Sequence, residues 1–311
     1  MQQVYLPPHP PTPYATKKLY YDLFLAAQDQ LSQLEAFLVS LAASGVALSE
    51  VFATVAYATH VVPRLYLQTA IASAYVRSGQ SVAPPLLAEL LAAAAGVQHP
   101  VRGLFARYYI VQRMRDCLPE APAPPTGVPS KPEGSVVDSL NFLLACLGDM
   151  NRLWVRMGAV SAPGAAGALV PAGAAAAAAL NTVSIGMGAG AESTTTNTTS
   201  AAIPAVSKGR KRRERERLEL RILVGAVLSR ISALEALSLP LYARIVLPAI
   251  LKEVADCADS AAQAYLVDSM LAVFPSEWHA ATLDALLTGM RSLVPHPVRR
   301  RRRRGGEWRN E

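Results

Sequence analysis

The chain has 311 residues, enough for one large domain or two ordinary ones, and 51% of them are hydrophobic while only 6% are aromatic, an Ala- and Leu-rich balance that favours helices over sheets. The net charge of +7 is local: Lys208 to Arg217 contributes +5 and Arg299 to Arg304 contributes +6, so the two runs hold +11 and the remainder stands at −4. A mildly acidic body with two short basic runs does not fit a nucleic-acid-binding domain, which spreads Lys and Arg over one folded face.

Met1 to Pro13 is Pro-rich and polar with no apolar core of a secretory signal, so residues 1–15 read as a disordered start. The first long helix is expected from Thr16 to Ala43, with Leu19, Leu23, Ala27, Leu31, Leu34, Leu38 and Leu41 at three- and four-residue spacing. Gly45 is placed to end it, and Ser49 to cap a second helix reaching about Thr59. Pro63 lacks an N–H and is expected to kink or restart the chain, after which Arg64 to Val76 is helical until Gly79. Pro84-Pro85 opens a helix ended by Gly96, and His99-Pro100 precedes another from Val101 to Leu118. Residues 119–134 form a Pro-rich loop. Ser135 and Asp138 then make a capping-box-like start to an apolar stripe of Val136, Leu140, Leu143, Leu147, Met150, Trp154 and Met157.

Residues 158–207 change character to Ala, Gly, Ser and Thr, which bury too little large apolar surface to offset the entropy of ordering, and are read as a disordered insert. Within it, Ala165 to Gly190 is mostly Ala, broken by Pro171, glycines and Asn181, and makes a poor membrane span. Helical periodicity resumes from Lys211 to Leu237, and Pro240 to Cys257, Ser260 to Val273 and Glu277 to Leu293 read as three further helices. Residues 295–311, with the six-arginine run, have no periodicity and read as a disordered basic tail. The expected organisation is therefore 16–157 and 208–294 as two helical segments separated by the insert. The fold class is all-α, either a bundle or an α-solenoid of antiparallel helix pairs.

Little in the sequence points to catalysis. No phosphate-cradling glycine loop is present, and His9, His60, His99, His279 and His296 show no helical spacing with carboxylates that would hold a metal, so no catalytic residue, cofactor or metal is expected. Cys117, Cys146 and Cys257 lie far apart without a CxxC pair, which suits free thiols in the reducing cytosol. His99, before a proline, reads as a loop or cap residue. The KGRKRRERER run from Lys208 to Arg217 reads as a solvated helix start with an Arg212–Glu216 pair. An alternative function rests on these basic runs: a helical protein that binds nucleic acid or anionic membrane through them.

Five segments are more specific than their composition: KLYYDLFLAAQDQLSQLEAFL at 18–38, VVPRLYL at 61–67, GVQHPVRGLFARYYIVQ at 96–112, DMNRLWVRM at 149–157 and RERERLELRILVG at 213–225. In this order they resemble the N-terminal half of the retromer scaffold subunit family, vacuolar protein sorting-associated protein 35. The resemblance covers most of residues 17–290 outside the insert. It implies a HEAT-like α-solenoid and a non-enzymatic scaffold in endosomal retrograde protein transport. Partners implied are the arrestin-fold retromer subunit directly, and sorting nexins and cargo tails indirectly, with peripheral attachment to the endosomal membrane and no role for nucleic acid. The family's PRLYL motif, associated with arrestin-fold subunit binding, falls on Pro63, Arg64, Leu65, Tyr66 and Leu67. In this reading Leu65 and Leu67 also suit a helix core and Tyr66 an interhelical contact, while Arg64 serves a partner or an intramolecular bond. The chain departs from the family in its Pro-rich start, its insert, its Arg-rich tail and its stop after the first helical repeats. Binding of the phosphoesterase-fold subunit, which uses the C-terminal solenoid, is not expected.

Overall fold

The computed structural model describes residues 15–122, 132–159, 202–257, 259–291 and 293, and among these no strand occurs. The Pro-rich start, the body of the Ala/Gly/Ser/Thr-rich insert and the Arg-rich tail lie outside the described residues. The chain divides into two compact units, Met1–Leu237 and Ser238–Glu311.

The first unit contains α1 (Ala15–Ala43), α2 (Leu48–Ala56), α3 (Val61–Arg77), α4 (Ala83–Ala95), α5 (Pro100–Arg113, continued by a 3-10 turn Met114–Cys117), α6 (Val136–Ala159) and α7 (Ala202–Ser232). Helix α3 packs on α1, α2, α4 and α5, and α5 packs on α3, α4, α6 and α7. The odd-numbered helices thus follow one another in a row, backed by α2, α4 and α6, the arrangement of an all-α solenoid. Along the middle of α3, Ala70, Ala72, Ser73 and Ala74 are all buried, and their small side chains let neighbouring helices approach closely.

Local signals work largely as the residue types dictate. Gly45 takes φ +95° and closes α1, with the Val46 N–H donating to the Leu41 carbonyl. Pro63 sits in the first turn of α3, where an N–H would have no helical partner, so the helix starts two residues before it instead of kinking. Ser49 does not cap α2. The Leu48 N–H donates instead to Gln80 Oε1 at 2.9 Å, and Gln80 Nε2 donates to the Val46 carbonyl at 2.9 Å, so a side chain from the α3–α4 loop supplies the cap. Helix also extends into both ends of the stretch read as a disordered insert, α6 through Ala159 and α7 from Ala202.

The buried face of α1 keeps Leu31 and Leu38 of the expected leucine stripe but not Leu23, which is exposed; Phe24 and Glu35 are buried beside them. Glu35, 5% exposed, accepts from Ser73 Oγ at 2.7 Å and Arg77 Nη1 at 2.8 Å through one oxygen, and faces Arg113 Nη1 at 3.5 Å through the other. The α6 stripe is buried from Val136 through Trp154 as its periodicity requires.

In the second unit, α8 (Leu239–Leu241) passes through a π turn (Tyr242–Val246) into α9 (Leu247–Asp256), followed by α10 (Ser260–Val273), α11 (Ser276–Ala281) and α12 (Leu283–Met290). The π turn replaces the single expected helix because Pro248 has no N–H for the carbonyl one turn earlier. The last expected helix is divided at Thr282, whose hydroxyl donates to the Trp278 carbonyl at 2.8 Å. Tyr242, Phe274, Trp278 and His279 form an aromatic cluster in this unit, with the Tyr242 hydroxyl 3.2 Å from His279 Nδ1.

Candidate partner-binding site

The PRLYL residues sit at the corner where α2 turns into α3. Leu65 is buried and Leu67 half-buried. Tyr66 points inward, its ring centroid 4.9 Å from Tyr109 and 6.2 Å from Phe24, and its hydroxyl is 3.5 Å from that of Tyr20. Burial, reinforced by the neighbouring tyrosines, pushes the Tyr66 hydroxyl well above its ordinary range, so it stays neutral. Arg64 is half-buried and donates through Nη1 to the carbonyls of Ala58 at 3.2 Å and Ala56 at 3.4 Å. Those carbonyls lie at the C-terminal end of α2, where helical partners are missing and the dipole favours a cation. Pro63 is exposed. Beside it, Val61 is exposed and Tyr57, at the end of α2, is 86% exposed. The motif therefore divides: Leu65 and Tyr66 hold the helices together, Pro63 is exposed, and the half-buried Arg64 stiffens the corner through its own bonds.

The other resemblance-bearing segments meet one another in the interior. His99 caps α5, its Nδ1 accepting from the Arg102 N–H at 3.3 Å. Buried Arg107 donates through Nε and Nη2 to Asp149 Oδ2 at 3.2 and 3.1 Å, tying α5 to α6. Arg217, 4% exposed, lies with its guanidinium 4.6 Å from the Trp154 ring centroid, and Trp154 Nε1 donates to the Arg217 carbonyl at 2.7 Å. This corrects the reading of the 208–217 run as wholly solvated: at least Arg217 is a core residue of the α6–α7 contact, satisfied by an aromatic face. The Arg212–Glu216 pair is outside the described side chains. Arg215 and Glu219 form an exposed pair at the same spacing, at 3.9 Å. Among the described residues no group of three His, Cys, Asp or Glu is placed to hold a metal, and no helix is long and apolar enough to cross a membrane. Cys117, Cys146 and Cys257 are buried free thiols.

A family model described as vacuolar protein sorting-associated protein 35 matches residues 12–299. The chain belongs to the vacuolar protein sorting-associated protein 35 family. It is 33% identical over 279 residues to vacuolar protein sorting-associated protein 35B of Arabidopsis thaliana, covering 89% of this chain and 29% of that relative. It is 33% identical over 276 residues to the Dictyostelium discoideum family member (89% and 29%), and 31% identical over 281 residues to that of Schizosaccharomyces pombe (90% and 28%). The chain thus spans under a third of the length of these relatives.

Proposed function

We propose that this chain supplies the N-terminal portion of a retromer scaffold subunit in vacuolar protein sorting, a non-enzymatic role in which it binds the arrestin-fold subunit through the corner at Pro63 and Arg64. Sorting nexins and cargo tails are reached through that complex, which places the chain peripherally on endosomal membrane in the cytoplasm. The phosphoesterase-fold subunit is not a partner of this portion. The observation that supports the reading is the half-buried Arg64, held by its bonds to the Ala56 and Ala58 carbonyls beside exposed Pro63, on a corner whose inner residues are committed to packing. A preorganised arginine loses little side-chain entropy on binding and presents a planar set of donors.

The test is capture of the purified chain by immobilised arrestin-fold retromer subunit at moderate salt, beside Arg64→Ala and Arg64→Lys. Capture is expected to fall at least about tenfold for Arg64→Ala, the scale of an interface anchor, with helicity by circular dichroism unchanged. Arg64→Lys keeps the charge but not the planar fork, and is expected to fall in between. Undiminished capture of Arg64→Ala defeats the assignment.

A further inference from the structure

Among the described residues Tyr57, at the C-terminal end of α2, is the most exposed large hydrophobic residue, at 86%. A single apolar side chain in water needs no explanation, but this one is neither alone nor loosely held. Its own N–H donates to the Thr54 carbonyl at 3.3 Å, and the Ala58 N–H donates to the Val55 carbonyl at 3.0 Å. Arg64 Nη1 donates to the carbonyls on either side of it, Ala56 at 3.4 Å and Ala58 at 3.2 Å. The successive peptide groups around Tyr57 are thereby held, with its backbone at φ −84° and ψ −1°, and only the ring's two side-chain torsions stay free. Exposed Val61, the first residue of α3, and exposed Pro63 lie on the same corner. Val61 Cγ1 also borders the α4–α5 turn, 3.8 Å from where a Cβ on exposed Gly96 would lie. The ring thus stands at one end of a small apolar surface that spans two interhelical turns.

A large ring with two torsions, carried on a fixed backbone, gives up little freedom when it is covered, and tyrosine is enriched for that reason among the residues that dominate protein interfaces. Resting on the reading of this corner as the site of the arrestin-fold subunit, we infer that Tyr57 is its second anchor, the ring entering an apolar recess of that partner, and that Arg64 acts in part as the positioning residue of Tyr57. The arginine's contribution then has two sources: the donors it has left for the partner, and the bonds by which it fixes the peptide groups around the ring.

The test measures Kd for the immobilised arrestin-fold subunit with the full chain, Tyr57→Ala, Tyr57→Phe, Val61→Asp, Arg64→Ala and the double variant Tyr57→Ala/Arg64→Ala, at low and moderate salt. Tyr57→Ala is expected to weaken binding at least about tenfold, by the same factor at both salt concentrations because no charge is removed. Tyr57→Phe keeps the ring and stays within about threefold of the wild type. The melting temperature is unchanged in both, since the side chain lies in water. Val61→Asp sets a carboxylate in the apolar surface but at the first turn of α3, where the helix dipole favours it, so binding falls while stability does not. The double variant loses less than the product of the two single losses, because Arg64→Ala has already released the backbone that presents the ring. Capture that Arg64→Ala weakens and Tyr57→Ala leaves intact overturns this inference while the Arg64 reading stands. Losses that multiply in the double variant overturn the positioning role. Absence of wild-type capture overturns both the inference and the reading on which it rests.

Discussion

Glu35→Ala removes a carboxylate that joins α1 to α3 and α5, and its cost follows from what each partner does afterwards. The Ser73 hydroxyl loses its 2.7 Å acceptor and keeps longer contacts with the Arg113 carbonyl at 3.4 Å and Cys117 Sγ at 3.7 Å, a buried donor poorly satisfied at a cost of about 1 kcal/mol. Arg77 loses a 2.8 Å bond, but its side chain is 51% exposed and water replaces most of it, leaving about 0.5 kcal/mol. Arg113 still donates to Ser32 Oγ and the Gln28 carbonyl, so its charge is not stranded. The space left by the side chain between α1 and α3 adds about 1 kcal/mol. The sum is about 2–3 kcal/mol, well above an exposed ion pair and below a fully stranded buried charge. Urea unfolding followed by circular dichroism should show the midpoint of the first unit falling by about 1 M, taking a slope of about 2–3 kcal/mol/M. Hydrogen exchange should place the loss on α1, whose amides lose protection by about 30- to 160-fold, the same energy expressed as a ratio. A midpoint shift under about 0.3 M would mean that the packing of Phe24, Leu31 and Leu38 alone holds α1, and would refute the account of Glu35 as its anchor.

Gly103→Ala should destabilise despite alanine's better helix propensity, because a Cβ there would lie 2.8 Å from the Val97 carbonyl oxygen and 2.7 Å from Leu153 Cδ1; thermal unfolding should register a loss of about 1–3 kcal/mol. Burial pushes the Cys146 thiol from near 9 up to about 12, so the unfolded chain releases a proton that the fold keeps: stability is intact below pH 9 and declines above it by about 1.4 kcal/mol per pH unit. Cys146→Ser should flatten this slope, and native protein at pH 8 should react with thiol reagents far more slowly than unfolded protein. Tyr242→Phe leaves His279 Nδ1 without its 3.2 Å partner inside the aromatic cluster of the second unit and should cost about 1–2 kcal/mol by calorimetry; an unchanged melting temperature would mean that His279 finds another partner.

The parts of the fold that were legible in sequence are those decided within one or two turns of a helix. Gly45 and Gly79 end helices at positive φ, and the α6 stripe of Val136, Leu140, Leu143 and Leu147 is buried as its spacing demands. Elsewhere the deciding partner is remote in sequence. On α1 the leucine pattern holds at Leu31 and Leu38 but not at Leu23, and it gave no sign that Glu35 is buried, which is possible only because Arg77 and Arg113 come from two other helices. Gln80 displaces Ser49 as the cap of α2 for the same reason, and Arg217 leaves its basic run because Trp154 of α6 offers it a ring. The PRLYL motif shows both regimes in five residues. Its sequence marks a helix start at Pro63 and apolar positions at Leu65 and Leu67, but does not reveal that Arg64 closes the end of the preceding helix. That bond bears on the binding role proposed for Arg64: an arginine already held by two backbone carbonyls needs little further ordering, so the proposed partner would gain specificity from a geometry the fold has already set.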